Sequence, residues 1–336
     1  MLLVIQVIIC FLLVIATGSR LCQSADILAE KTGLGRTWIG TILLAGVTSL
    51  PELATGVSAI VLFNSPDLAV GGILGSCLFN LLILALLDIF TGPEPLLKRA
   101  QISHALAASL GCVMVGVAAA GMLLAKTEIH WTFGWVSTPS ILLMLLYFVS
   151  TRMIAQFETQ RRAEVLEDEF EAFQYQHITI QQAYRQFVLL SAIIVILGVW
   201  LAFLGDQVAE VTGLGKSFIG SILLATATSL PEVVTSVTAV RLNAVDLAVS
   251  NIFGSNIFNL AILGIYDLVY LPGSLWLSIS QVHILTAVIV MVMTCVAIAG
   301  LIYHSVSRSR MYITLDGITL IALYIGGMYV VYRNIL

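Results

Sequence analysis

"GTILLAGVTSLPELATGVSA" occupies residues 40–59, and "GSILLATATSLPEVVTSVTA" occupies residues 220–239. Thirteen of the twenty positions are identical at a constant offset of 180. So close a repeat within one chain marks an internal duplication, a device that defines many membrane transport folds. Upstream, "ILAEKTGLGRTWIG" answers "QVAEVTGLGKSFIG", and Gly18 and Asp26 fall against Gly198 and Asp206. Downstream, "DLAVGGILGSCLFNLLILALLDI" answers "DLAVSNIFGSNIFNLAILGIYDL" at offset 179, with a one-residue deletion near Asn64 and Pro66.

The duplicated segments sit in a very apolar chain. Of 336 residues, 59% are hydrophobic and only 10% charged, with a mean hydropathy of +1.03. Soluble domains carry about 25% charged residues, so this composition belongs to an all-α polytopic membrane protein. Apolar runs between charged or Gly/Pro-containing breaks predict ten transmembrane helices. They cover 2–20, 38–62, 67–90, 102–125, 134–153, 187–205, 217–241, 246–270, 279–303 and 312–333. The N-terminal run lacks the positive flank of a signal peptide and has an internal counterpart at the sixth span, so it is read as the first span.

The duplication divides the chain into a five-helix unit at 1–153, a hydrophilic cytoplasmic linker at 154–186 and a second five-helix unit at 187–336. Five crossings per unit reverse the second unit in the membrane, so the repeats are expected to be inverted. Placing the N-terminus outside puts 12 of the 15 Lys and Arg residues on the cytoplasmic side, including Arg20, Arg36, Arg99, Arg161 and Arg241. Both termini are therefore expected to be extracytoplasmic. The net charge of −4 is locally mixed and offers no surface for nucleic acid. The linker lacks the ligand spacing of an EF-hand, and the five scattered cysteines are expected to pack as buried residues.

Of the 19 acidic residues, only Glu52 and Glu232 fall near the middle of a span, and each follows a proline. An ionisable side chain at that depth is costly and marks a functional site by default. Pro51 and Pro231 lack an N–H and are expected to free the carbonyls of Val47 and Ala227. Helical spacing puts Thr48 on the face of Glu52 and Thr228 on the face of Glu232, with Ser49 and Ser229 one position along. In the following spans, Ser76 and Asn80, and Asn251, Ser255 and Asn259, recur at four-residue steps. Such Ser and Asn residues can equally bond neighbouring helices, and Gly71, Gly75 and Gly254 suit close helix packing. Carboxylates, hydroxyls, amide oxygens and bare carbonyls together suit a hard cation such as calcium, and sodium could use the same oxygens. The histidines (His104, His130, His177, His283, His304) are dispersed, which argues against a transition metal.

The paired "TSLPE" segments, each followed by "GSCLFN" or "GSNIFN", resemble the alpha repeats of the cation/calcium antiporter superfamily, specifically its sodium/calcium exchanger branch. The resemblance covers both halves. It implies ten helices in two inverted repeats, with a mid-membrane ion site built by the second, third, seventh and eighth. By motif position it implies Thr48, Ser49, Glu52, Ser76 and Asn80 as ion ligands, with Thr228, Ser229, Glu232, Ser255 and Asn259, and backbone oxygens near Ala45 and Ala225. It implies alternating access in which the first and sixth helices slide, with calcium and sodium as transported ions and no resident cofactor. The chain departs from the family pattern at "GVTSLPE" and "TATSLPE", at Cys77 opposite Asn256, and at Gly71-Gly72. Both Asn80 and Asn259 are amides where many exchangers carry one aspartate.

The resulting expectation is a calcium-for-sodium antiporter of the plasma membrane, working as a monomer. A proton-coupled calcium or other cation antiporter on the same scaffold is the alternative. A cation channel or a non-transporting scaffold leaves the duplicated hydroxyl, proline and glutamate unexplained. An enzyme would need a nucleophile or cofactor loop that the chain lacks.

Overall fold

The computed structural model describes residues 2–91, 94–127, 131–165, 175, 177–211, 225–303 and 314–335. The principal helices are α1 (Leu2–Thr32), α2 (Leu50–Phe63), α3 (Pro66–Leu87), α4 (His104–Leu124), α5 (Thr138–Val165), α6 (Ile180–Val211), α7 (Leu230–Arg241), α8 (Val245–Val269), α9 (Val282–Tyr303) and α10 (Leu315–Ile335). Nine membrane-crossing candidates lie among the described residues, one of them the composite Arg36–Phe63 that ends in α2. The expected seventh span is described only from Ala225 onward; 217–224 lie outside the described residues.

Several boundaries differ from the hydropathy reading. The expected spans 2–20 and 187–205 are parts of the longer α1 and α6; the expected 134–153 starts only at Thr138, in the longer α5, because Val136–Ser137 pairs as a short strand with Thr132–Phe133. Hydropathy ends where the apolar run ends, whereas the backbone ladder continues as long as its polar side chains find partners. In α1, the extension carries Asp26, which is 1% exposed and accepts from Arg36 Nε at 2.6 Å. Arg20 consequently stands within a helix rather than in a loop. The expected linker is absorbed at both ends: 154–165 belong to α5 and 180–186 to α6, while 166–174 and 176 lie outside the described residues. Tyr175 fastens the linker to α1, its phenol donating to Asp26 Oδ2 at 3.0 Å and its N–H to Glu30 Oε1 at 2.9 Å. Burial and the Asp26 charge push that phenol up to about 12, so it remains a donor at any physiological pH.

The prolines do not kink a continuous helix. In the first half, Ile39–Leu44 is π-helical, Ala45–Thr48 is a short α-helix, and Ser49 leaves helical geometry with φ −91° and ψ 3°. A new helix, α2, then starts at Leu50 with Pro51 in its first turn, where a missing N–H costs nothing. Ser229, at φ −85° and ψ 8°, makes the same break ahead of α7 and Pro231. Just past the far ends of these helices stand asparagines with positive φ, Asn64 (47°) directly after α2 and Asn243 (62°) one residue further on after α7.

In the layering, α3 and α8 are central, and 67% and 78% of their apolar windows are buried, against 17% for α1. The most extensive helix pairings join α1 to α6, α4 to α9 and α3 to α8. Glycines permit the tightest approach. A Cβ on Gly254 of α8 would run into Thr41 O, and one on Gly40 would lie 3.0 Å from Leu247 O. Gly198 of α6 lies against Pro51, with Pro231 also in reach, so α6 crosses both helix breaks.

Four aspartates that the sequence places at span ends tie the two halves together. Asp88 accepts from Leu96 N and Thr314 N, and Asp267, at offset 179, accepts from Leu275 N and Ser137 N, all within 2.7–2.8 Å. Asp246 receives His104 at 2.8 Å, and Asp67 receives His283 at 3.0 Å, again a pair at offset 179. Two of the dispersed histidines are thus matched structural partners. The cysteines also depart from expectation. Cys10, Cys22 and Cys77 are buried, but Cys112 is only partly covered and Cys295 is exposed, with their sulfurs 4.0 Å apart.

Candidate functional site

Both helix breaks deliver their side chains to the same place. Ser49 donates to Glu232 Oε1 at 3.0 Å, and Ser229 donates to Glu52 Oε1 at 3.0 Å. Each serine therefore bonds the glutamate of the other half. This reciprocity follows from the break: Ser and Glu sit on either side of Pro, and leaving helical geometry at Ser turns its hydroxyl away from its own helix. Ser76 of α3 joins them, 3.1 Å from Ser229 Oγ and 3.5 Å from Glu52 Oε1. The cluster is closed to solvent, with Glu52 4% exposed and Glu232 fully buried.

The remaining sequence-derived candidates lie close by and are buried, except Ala225, which is half-buried. Thr48 and Thr228 donate to Ala45 O at 3.3 Å and Ala225 O at 3.0 Å. Those carbonyls also accept the N–H of Ser49 and Ser229, so the backbone oxygens of Ala45 and Ala225 already serve their own turns. Asn80 of α3 donates to Asn256 Oδ1 at 3.0 Å. Ser255 and Asn259 of α8 are fully buried.

Unsatisfied oxygens mark the site. Buried oxygens without a hydrogen-bond partner include Glu52 Oε2, Glu232 Oε2, Asn80 Oδ1, Asn251 Oδ1, Ser255 Oγ and Asn259 Oδ1. Each such atom costs about 1–3 kcal/mol and more when charged, and with the unpartnered Asn259 Nδ2 beside them they make the duplicated segments a candidate ligand site. All six are acceptors, two of them carboxylate oxygens, and a hard cation with an appetite for oxygen is what they would compensate.

Three supporting residues complete the cluster, and two of them, Tyr266 and Asn256, escape sequence reasoning. Tyr266, fully buried in α8, donates to Glu52 C=O at 2.7 Å, and Gly56 leaves space for its ring. Asn251 donates to Thr235 Oγ1 and Ser236 Oγ, both at 3.1 Å, bracing α7 against α8. Asn256 holds Asn80. For Asn251 the four-residue stripe with Ser255 and Asn259 was a signal. For Tyr266 and Asn256 the duplication gives none, because their counterparts are Leu87 and Cys77.

Comparisons with known proteins bear on the fold and the family. The family model described as "Sodium/calcium exchanger protein" matches residues 2–155 and 183–333. The chain is 29% identical over 277 residues to the inner membrane protein YrbG of Escherichia coli (strain K12), covering 80% of each protein. It is 28% identical over 272 residues to a protein of Alkalimonas amylolytica named as a candidate antiporter, CaxA, covering 80% of this chain and 81% of that one. Among solved structures, the sodium-calcium exchanger NCX_Mj soaked with 100 mM Na+ and 10 mM Sr2+ superposes with a TM-score of 0.72. That match is 19% identical and covers 98% of both chains, which establishes a shared membrane fold. The chain is an integral membrane protein and belongs to the sodium/calcium exchanger family, whose members are transporters rather than enzymes.

Proposed function

We propose that this protein exchanges calcium for sodium across the plasma membrane, binding both ions in turn at the oxygen cluster between its two halves. The observation that carries the reading is the buried pair of glutamates, each bonded by the other half's serine and each with one oxygen unpartnered. Two carboxylates match the charge of one divalent ion. Burying an acidic side chain at mid-membrane costs about 2.5–3.5 kcal/mol on insertion scales, an expense recovered when a cation is bound. Sodium in the return step is favoured by the family's description and by the sodium present with NCX_Mj.

The ligand set is Thr48, Ser49, Glu52, Ser76 and Asn80 with Thr228, Ser229, Glu232, Ser255 and Asn259, supported by backbone oxygens at Ala45 and Ala225. Each half supplies one carboxylate, so neither unit at 1–153 or 187–336 holds the ion alone. Access alternates as α1 and α6 slide over the site. The crossing of α6 over Pro51 and Pro231 supports this, because a shift of α6 bears on both helix breaks together. The two units are inverted with both termini extracytoplasmic, and one chain suffices for transport.

Calcium flux into proteoliposomes tests the ligand assignment. Glu52→Gln and Glu232→Gln keep the shape of each side chain and remove its charge; each is expected to lower flux at least about a hundredfold, equivalent to roughly 2.8 kcal/mol. Flux retained in both variants would remove the glutamates from transport.

A further inference from the structure

The two halves of the site hold their asparagines differently. Asn80 donates to Asn256 Oδ1 at 3.0 Å, and Asn256 donates onward to Cys77 C=O at 3.4 Å. That chain engages the Asn80 nitrogen and leaves its Oδ1 buried without a partner. Under the duplication, Asn256 corresponds to Cys77 and Asn80 to Asn259. Asn259 accordingly has the Cys77 thiol as its side-chain contact, a weak one, and neither its Oδ1 nor its Nδ2 makes a further hydrogen bond. A thiol is both a weak donor and a weak acceptor, so it does not dictate which end of an amide faces it. Exposure is 5% or less at all four residues, so solvent does not orient these amides either. Asn256 itself stands behind the oxygen cluster, its other side facing a small gap lined by Ala108, Gly111, Phe253 and Thr294.

We propose that Asn256 is a positioning residue that locks Asn80 as a fixed carbonyl-oxygen ligand, leaving Asn259 as the amide free to turn. This rests on the cation-site reading above. An amide whose nitrogen is already engaged presents its oxygen without an ordering cost at the moment of binding. An unpinned amide presents oxygen to a cation and can turn its nitrogen toward a carboxylate when the cation leaves. Two residues of the same type at duplicated positions therefore contribute unequally. Asn80 serves whichever ion is bound, and Asn259 adapts to the number of oxygens each ion demands.

The test uses the purified full-length chain, reading calcium-dependent thermal stabilisation in detergent and half-saturating calcium for flux in proteoliposomes. Asn256→Cys, which installs the other half's residue, is expected to raise half-saturating calcium about tenfold, close to the effect of Asn80→Ala. The double variant is expected to be no worse than Asn80→Ala alone, since the two changes remove one contribution. Additive losses in the double variant, or wild-type half-saturation in Asn256→Cys, would overturn the proposal. The exchange Cys77→Asn with Asn256→Cys guards against a packing effect, because it preserves composition and moves the pin to Asn259. In that background Asn259→Ala is expected to be damaging and Asn80→Ala to cost less than about threefold; the reverse order overturns the proposal. Absence of calcium stabilisation in the wild type would instead sink the cation-site reading itself.

Discussion

Ser49 and Ser229 each act on the carboxylate of the opposite half, and the hydroxyl is suited to a site that fills and empties. Its single proton satisfies a glutamate oxygen when no cation is present, and rotation about the C–O bond then offers a lone pair to an arriving ion. Alanine removes both functions. Ser49→Ala and Ser229→Ala are each expected to raise half-saturating calcium about tenfold, because hydrogen bonds to charged groups are worth roughly 1.5–3 kcal/mol. Similar losses in the two variants, measured by flux titration, would reflect the reciprocal geometry. The proposed ligand residues were legible because each appears twice in matching motifs. Tyr266 and Asn256 were not, since each acts on a residue at least 176 positions away and its duplicated counterpart has different chemistry. The buried Asp26, Asp88 and Asp267 were hidden for a related reason: a carboxylate at a span end looks solvated until the N–H or guanidinium that meets it is located.

Among the elements, the helix breaks at Ser49 and Ser229 put Pro51 and Pro231 in the first turn of a new helix rather than inside a continuous one. Proline in the first turn of a new helix is unstrained, so the break is a stable feature of the fold. The close approach of α8 to the 39–44 π-helical turn holds the first break in place, and π-helical turns recur at functional sites. Adding a methyl at Gly254 would force it to within 2.6 Å of Thr41 backbone atoms. Gly254→Ala is expected to cost about 1–3 kcal/mol through overpacking, read as a lower melting temperature in detergent. Gly72→Ala on α3, whose Cβ meets nothing within 4 Å, is expected to be neutral or slightly stabilising. Hydropathy located these helices but misplaced their ends, because it records apolar character and not the hydrogen-bonding that carried α1, α5 and α6 further.

At the level of the whole molecule, matched contacts recur at or near the duplication's offset. His104–Asp246 answers His283–Asp67, and Asp88 with Thr314 answers Asp267 with Ser137. Each of these contacts joins one half of the sequence duplication to the other. If the copies are inverted, the paired His–Asp contacts lie at opposite membrane faces. Single cysteines substituted at Ser65 and at Asn243, in a background where the five native cysteines are replaced, test this with a membrane-impermeant thiol reagent on intact cells. Ser65→Cys is expected to react from outside and Asn243→Cys only after permeabilisation; labelling of both from one side would contradict inversion.

Coupling of the two ions across this shared site is the central claim, and calcium flux in proteoliposomes under separately imposed gradients tests it most directly. With pH clamped and potassium equal on both sides, an outward sodium gradient is expected to drive calcium accumulation that Glu52→Gln and Glu232→Gln abolish. Accumulation that follows an imposed pH gradient and ignores sodium would contradict the account.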